Sequence, residues 1–404
     1  MKPIIKKVVV KRFRSFPSEV VEFDNPSLLV GRNGAGKSNF ADLFSFAAEA
    51  MSSPLQAVFD RRGGISSVRN RSSGQRSYPP NLGLRFDFGA INGEVEGGLF
   101  AFEIKAKALP GYGFEVEREQ CLIRYADKKR WWFDRRKEFH TNAKELKPSM
   151  EPSALTLPVI GGDARFAPIL KTLNSMRVYS IQPSELREMQ DPDSGATLRK
   201  DGGNAASVLQ EIIRNAPETK ERVQEILESI VPNTTSVKPK KHGNKLSLEF
   251  TQEWNQEKKN KKKLILEAFS MSDGTLRALG LLMAVYQIPP SSVLVIEEPE
   301  ATIHPGALGA VLDLIRHASR SMQVIVTTHS PEVLDAKWIK DHNLKIVVWQ
   351  DGASHVLPPD DASRKAMQEH LMGAGELIRS NMMQPAPLFK DSEELQGNLF
   401  EDLK

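Results

Sequence analysis

Eight consecutive residues, Gly31-Arg32-Asn33-Gly34-Ala35-Gly36-Lys37-Ser38, constrain this chain more than any other stretch. They fit the pattern G-x-x-x-x-G-K-[ST], in which a glycine-rich turn wraps backbone N–H groups around phosphate oxygens. Such a turn works between a strand and a helix, because its donors must converge at a helix N-terminus, where the dipole favours negative charge. The flanks supply both elements. Val8-Val9-Val10 and Leu28-Leu29-Val30 are apolar runs bounded by turn formers, and Phe40, Leu43, Phe44 and Ala47 recur at helical spacing over Asn39 to Met51. Gly31, Gly34 and Gly36 let the backbone curl this tightly, and Asn33 to Asn39 form the cradle. Lys37 is placed to reach the β- and γ-phosphates, and Ser38 to hold Mg²⁺.

A chain of 404 residues can bury a large core, as one elaborated domain or two. Its net charge is only +4, so a basic patch must come from uneven placement, and the balance alone does not argue for nucleic acid. The single cysteine, Cys121, excludes an intrachain disulfide framework and fits a reducing compartment; without a motif around it, a buried spectator thiol is expected. No apolar run reaches the roughly 18 residues of a spanning helix, and the Lys-rich N-terminus lacks an apolar leader core. A soluble, cytoplasmic protein with no membrane contact is expected.

Residues 1 to 30 read as two strands joined by Phe13-Arg14-Ser15-Phe16-Pro17, where Arg12 or Arg14 contacts nucleotide or DNA, or is plain surface charge. Pro54 to Pro80, with Arg61-Arg62-Gly63-Gly64 and Arg69-Asn70-Arg71-Ser72-Ser73-Gly74, reads as loop. Leu82 to Phe88, Gly98 to Lys105, Phe114 to Arg118 and Gln120 to Tyr125 alternate like short antiparallel strands. In Lys128 to Arg136 cations interleave with Trp131, Trp132 and Phe133, which suits either nucleic-acid stacking or a strand with its Trp face buried. Residues 140 to 165 read as a mobile, proline-rich connection, followed by a strand over Met176 to Ile181. Asn204 to Arg214 and Glu218 to Ile230 have helical periodicity without sustained heptads, which excludes a long coiled coil. Leu246 to Phe250 and Leu264 to Phe269 read as a hairpin whose tip, Glu257 to Lys263, carries five lysines that either neutralise phosphates or keep the hairpin soluble.

The chemistry resumes at Met271-Ser272-Asp273-Gly274-Thr275, a small turn opening a helix with Leu279, Leu282, Met283 and Tyr286, and thus a second anion site. Val293-Leu294-Val295-Ile296 then drives into Glu297-Glu298-Pro299-Glu300. Continuous hydrophobicity marks a strand buried on both faces of a parallel sheet, and acids at its C-terminal end sit where ligands collect. One carboxylate there can organise Mg²⁺ and the next can orient or deprotonate a water. Another strand, Gln323 to Thr327, ends in Thr328-His329-Ser330-Pro331, where the histidine can donate to a γ-phosphate oxygen.

Taken together these stretches resemble the ABC-type ATPases of the SMC, RecF and OLD group, in particular small bacterial members from phage-defence loci whose Walker B strand ends in Glu-Glu-Pro-Glu. The matching residues are Gly31 to Ser38 as Walker A, Ser272-Asp273-Gly274-Thr275 as signature, Val293 to Glu300 as Walker B, Ile303-His304-Pro305, and Thr328 to Pro331. Arg62-Gly63-Gly64 and Asp201-Gly202-Gly203-Asn204 match in the middle. The resemblance implies an α/β fold: an ABC-type P-loop head with a mixed sheet, an antiparallel β subdomain and a helical insertion. It implies a head over 1–335, with an N-lobe 1–140, an insertion 141–245 and a C-lobe 246–335. Residues 336–404 would add a strand and a partly disordered tail.

By the same resemblance the cofactors are ATP and Mg²⁺. Asn33, Gly34, Ala35, Gly36, Lys37, Ser38 and Asn39 bind nucleotide; Ser38, Glu297 and the Q-loop candidate Gln182 serve the metal; Glu298 is the catalytic carboxylate and His329 senses the γ-phosphate. Ser272 and Gly274 contact nucleotide held by a second copy, which implies a homodimer. Glu297 stands where many relatives have Asp, and His304 near the place of an Asp. The implied function is an ATP-driven switch that grips DNA or presents a separate effector, such as a nuclease or Toprim-like protein, in anti-phage defence. The alternatives are a RecF-type repair ATPase and a regulatory ATP binder without nucleic acid. The stretch after His329 is short for a built-in Toprim domain. The acidic tail, with Leu395, Leu399 and Phe400, either docks a partner or is disordered.

Overall fold

The computed structural model describes residues 1–70, 81–107, 113–256, 260–388 and 398–403. Its contacts divide into two compact units, Met1–Met176 with Ile339–Lys404, and Arg177–Trp338.

The first unit opens with β1 (Ile5–Phe13), β2 (Phe16–Glu22) and β3 (Ser27–Val30), followed after the loop by the helix Lys37–Ser52. Three strands thus occupy a stretch where two were expected. Next come β4 (Asn81–Phe88), β5 (Val95–Ala106), β6 (Phe114–Tyr125), β7 (Arg130–Arg135) and β8 (Phe139–Thr141). They form a seven-stranded antiparallel sheet in the order β2-β1-β4-β5-β6-β7-β8. The helix Lys37–Ser52 covers one face, where Phe40 and Phe44, one turn apart, and Phe46 meet aromatic rings of the sheet. Their rings lie 5.5 Å from Phe16, 6.1 Å from Phe86 and 6.4 Å from Phe102, in the range of favourable aromatic pairs.

Several expectations are corrected here. The two strands read over 114–125 are one, with a register shift opposite Glu103/Ile104 that breaks the alternation. Part of the presumed loop after Pro54 is helical, Leu55–Asp60 and Ile65–Val68; residues 71–74 of its basic run lie outside the described residues. The segment 140–165 is not a loose connection. Ala143, Leu155, Leu157 and Ile160 are buried, and the backbone N–H groups of Thr156 and Leu157 donate to the buried Glu119 carboxylate at 2.5 and 2.8 Å. Lys128 to Arg136 is a turn and strand whose fully buried ring is Phe133; Trp131 and Trp132 are half-buried. Cys121 is buried and its thiol pKa is pushed well up by burial, then by Glu119, as a spectator requires.

The second unit holds β9 (Arg177–Tyr179), β10 (Thr234–His242), β11 (Lys245–Gln256), β12 (Asn260–Glu267), β13 (Val293–Glu297) and β14 (Gln323–Thr328). β13 pairs in parallel with both β9 and β14, and all five of its residues are buried, as its unbroken apolar run demands. Strands β10, β11 and β12 form a separate antiparallel sheet, so the expected hairpin has a third strand. The expected helical insertion is present as Ala205–Asn215 and Pro217–Ile230. Among the described residues the longest helix is Lys37–Ser52, with 16 residues, so no long coiled coil interrupts the head. None of these helices is long and apolar enough to cross a membrane.

The chain then returns to the first unit as β15 (Leu344–Gln350) and β16 (Ala353–Leu357). β15 runs parallel to β3 in the register Leu344↔Leu28, placing two neighbouring strands beside the strand that enters the phosphate loop.

Candidate nucleotide site

The loop leaves β3 at Gly31 and enters its helix at Lys37. Gly31 is the one residue type that fits its position: a Cβ there would lie 2.3 Å from the Val347 carbonyl oxygen on β15. Gly34 (φ 79°) and Gly36 (φ 111°) are left-handed, which glycine adopts without strain. A Cβ on Gly36 would also strike the Ser354 hydroxyl at 2.3 Å. The Lys37 ammonium folds back across the loop and donates to the carbonyls of Gly31 (2.8 Å) and Arg32 (3.2 Å). No side chain caps the helix at Gly36, while Asn33, Gly34 and Ser38 are exposed and Ala35 is buried beneath them. A hydroxyl chain braces the cradle from below: Asn39 donates to Ser15 Oγ at 2.9 Å and Ser354 to the same oxygen at 2.8 Å.

The helix is fastened by a charge cluster. Arg14 pairs with Asp42 at 2.6 Å, and Arg62 reaches Asp42 at 3.1 Å and Glu49 at 2.7 Å. Arg14 is therefore held by this helix, and the Arg62-Gly63-Gly64 motif serves to anchor it, with both glycines left-handed.

In the second unit the acids cluster at the C-terminal ends of β13 and β14. Glu297 is buried and its Oε1 lies 3.1 Å from the Lys200 ammonium. Glu298 stands at φ 46°, a costly left-handed conformation for a side-chain-bearing residue. Its backbone N–H donates to the Thr327 carbonyl at 2.9 Å, and its Oε1 lies 3.2 Å from His329 Nδ1. Glu300 accepts from the Thr328 hydroxyl at 2.6 Å, and its second oxygen is buried without a hydrogen-bond partner. Arg277, buried in the helix Asp273–Tyr286, donates to the carbonyls of Ile181 (2.8 Å), Glu297 (3.2 Å) and Glu298 (2.7 Å). Burial depresses its pKa, partly offset by the charges of Glu300 and Glu298.

That helix begins at Ser272, whose hydroxyl accepts from the Thr275 N–H at 3.2 Å. Gly274 has Thr302's carbonyl oxygen 2.8 Å from where a Cβ would stand. Gln182 is exposed, with its N–H donating to Asp201 O at 2.9 Å. His304 caps the next helix, accepting from the Gly306 N–H at 3.1 Å. The second unit thus gathers Glu297, Glu298 and His329 at one sheet end.

Residues 27–335, more than half of the chain, match the family described as "AAA domain, putative AbiEii toxin, Type IV TA system". The chain belongs to this AAA-domain family. Among curated proteins, this AAA-domain chain is 32% identical over 76 residues to chromosome partition protein Smc of Methanocaldococcus jannaschii. It is 31% identical over 72 residues to that of Chlorobaculum tepidum. These matches take in 19% and 18% of the chain and 6% of either relative. Among solved structures it resembles an SMC head bound to the C-terminal winged-helix domain of ScpA, at TM-score 0.55 and 17% identity, over 88% of the chain and 97% of the other. A Pyrococcus furiosus Smc head with an extended coiled coil, bound to the C-terminal domain of ScpA, matches at TM-score 0.52 and 15% identity, over 91% and 99%. The AAA-domain protein therefore has the fold of an SMC head.

Sequence reasoning assigned no role to Arg277, Thr328 or Lys200, and expected Asn39 at the nucleotide without its place in the Ser15–Asn39–Ser354 chain. Arg277 alone left a signal, a lone cation inside the apolar run Leu276 to Tyr286.

Proposed function

We propose that this protein is a Mg²⁺-dependent ATP-hydrolysing switch that dimerises around ATP and thereby controls a separate effector, in anti-phage defence. The observation that carries the reading is Glu298, held at a strained left-handed backbone position at the end of a buried parallel strand, with His329 3.2 Å from its carboxylate. Strain of this kind persists where function requires it. In this reading Asn33 to Asn39 cradle the phosphates, Lys37 exchanges its loop carbonyls for phosphate oxygens, Glu298 takes the proton of the attacking water, and His329 donates to the terminal phosphate. Ser272 and Gly274 contact the nucleotide of a second copy.

Ser38, Glu297 and Gln182 are the proposed magnesium ligands. Among the described residues no three His, Cys, Asp or Glu converge as an all-protein metal cage. A donor set this sparse suits Mg²⁺, which keeps phosphate and water oxygens around it. Bound there, the ion would neutralise charge on the phosphates.

One observation favours an effector over direct DNA engagement. In the three-stranded sheet, Lys238 and Lys240 lie 3.0 and 3.1 Å from Glu249, and Lys263 lies 2.7 Å from Glu253. Cations matched this way leave little charge for phosphate neutralisation. Of the five tip lysines Lys263 is the one matched here; Lys258 and Lys259 and the side chain of Lys261 lie outside the described residues, and Lys262 is exposed.

Lys37→Ala is expected to weaken ATP binding about 10- to 100-fold, the loss of charge-assisted hydrogen bonds. Titration with a fluorescent ATP analogue measures it, and wild-type affinity in the variant would refute the loop's role.

A further inference from the structure

The face of the seven-stranded sheet opposite the helix Lys37–Ser52 is occupied by the segment Asn398–Leu403, Asn-Leu-Phe-Glu-Asp-Leu. Successive strands bring their side chains there into register, a row with polar ends in which Arg85 pairs with Ala101 and Ala101 with Gln120, and beside it an apolar row in which Leu99 pairs with Leu122 and Leu122 with Trp132. Gly83 on β4 leaves room that the Leu399 side chain fills; a Cβ there would lie 2.3 Å from Leu399 Cδ1. Leu403 packs with Leu99, Ala101 and Leu122. Phe400 lies under the Arg118 guanidinium at 4.3 Å, within cation–π range.

The polar contacts read this segment residue by residue. Gln120 is fully buried and uses both amide atoms on one residue: its Nε2 donates to the Glu401 carbonyl at 2.8 Å and its Oε1 accepts the Glu401 N–H at 2.9 Å. This is the pairing a neighbouring strand would make, supplied by a side chain. Arg85, also buried, donates to the Glu401 carboxylate and to the Asn398 carbonyl (3.1 Å). Arg130 donates to the Leu403 carbonyl at 3.1 Å. A sheet face whose buried Gln120 spends both amide atoms on this segment, and whose buried Arg85 divides its donors between Asp87 beside it and the segment, is built as a receptor. Uncovered, those groups would stand over apolar neighbours.

We propose that this face is a recognition site for an extended acidic segment of pattern Leu-Phe-Glu-x-Leu, that the chain's own Asn398–Leu403 is a tethered ligand for it, and that the same segment from a second copy can replace it in trans. A tether holds a ligand at about millimolar effective concentration, so the covalently attached copy dominates until it is withdrawn.

The test uses the 404-residue chain and the fluorescein-labelled peptide Asn-Leu-Phe-Glu-Asp-Leu. In the variant Leu399→Ser/Glu401→Lys/Leu403→Ser the receptor residues are unchanged and the attached ligand is spoiled; Glu401→Lys alone is a milder form. Fluorescence anisotropy should show the peptide binding either folded variant about tenfold or more tighter than wild type. A peptide carrying Lys for Glu should not bind. Folded variants with no gain in peptide affinity, or equal binding of the two peptides, would overturn the proposal and leave the segment as fixed packing. Circular dichroism and ATP affinity establish that each variant is folded.

Discussion

At the scale of single residues, Glu49 shows how the loop helix is held. Burial pushes its carboxyl pKa up, but the hydrogen bonds and charge of Arg62 outweigh burial and leave it below the ordinary value. A carboxylate depressed in the folded state adds stability above its unfolded pKa and loses it as pH falls through the folded one. Glu49→Gln is therefore expected to lower stability at neutral pH and to narrow its gap to wild type below about pH 4.5. Urea midpoints from pH 7 to pH 3 measure this, and a gap independent of pH would contradict it. Arg62 is legible in the sequence as part of Arg62-Gly63-Gly64, but its partners Asp42 and Glu49 are not. Their pairing depends on the phase of one helix and two left-handed glycines, which composition does not encode. The same holds for Glu298: the run of acids marks it, while its positive φ and the approach of His329 are properties of the folded turn.

At the scale of elements, two glycine and arginine contacts carry the most weight. Gly31→Ala forces β15 to retreat from the loop, since the new Cβ would meet a backbone oxygen that no rotamer can move. A loss of about 1–3 kcal/mol is expected, read from the denaturation midpoint; an unchanged midpoint would remove Val347 as the constraint. Arg277→Met strands the carbonyls of Ile181, Glu297 and Glu298, at about 1–3 kcal/mol for each left unsatisfied. Wild-type stability in that variant would show that other donors serve those carbonyls. Two strands missed in the sequence share a feature. Both β2 and β10 contain a proline, Pro17 and Pro239, and both lie at a sheet edge, where a missing N–H does little harm. Pro17 reads as part of a turn, which displaces the start of β2, and the stretch holding Pro239 gives no strand alternation clear enough to read. Central strands such as β13, with four consecutive apolar residues before its terminal Glu297, were plain.

At the scale of the whole molecule, the order of motifs shared with SMC-like ATPases was readable because each is a short run whose chemistry depends on adjacent residues. The packing of Asn398–Leu403 on its own sheet was not, since Leu, Phe and Glu in an acidic stretch fit disorder equally well. The proposed switch predicts that ATP holds two copies together until hydrolysis releases them. The most direct measurement compares wild type and Glu298→Gln for ATP binding, phosphate release and molecular mass by light scattering, with ATP and Mg²⁺ present. The variant should bind ATP normally, release phosphate at least about 100-fold more slowly, and accumulate as a dimer. Phosphate release at the wild-type rate would contradict the account at its centre.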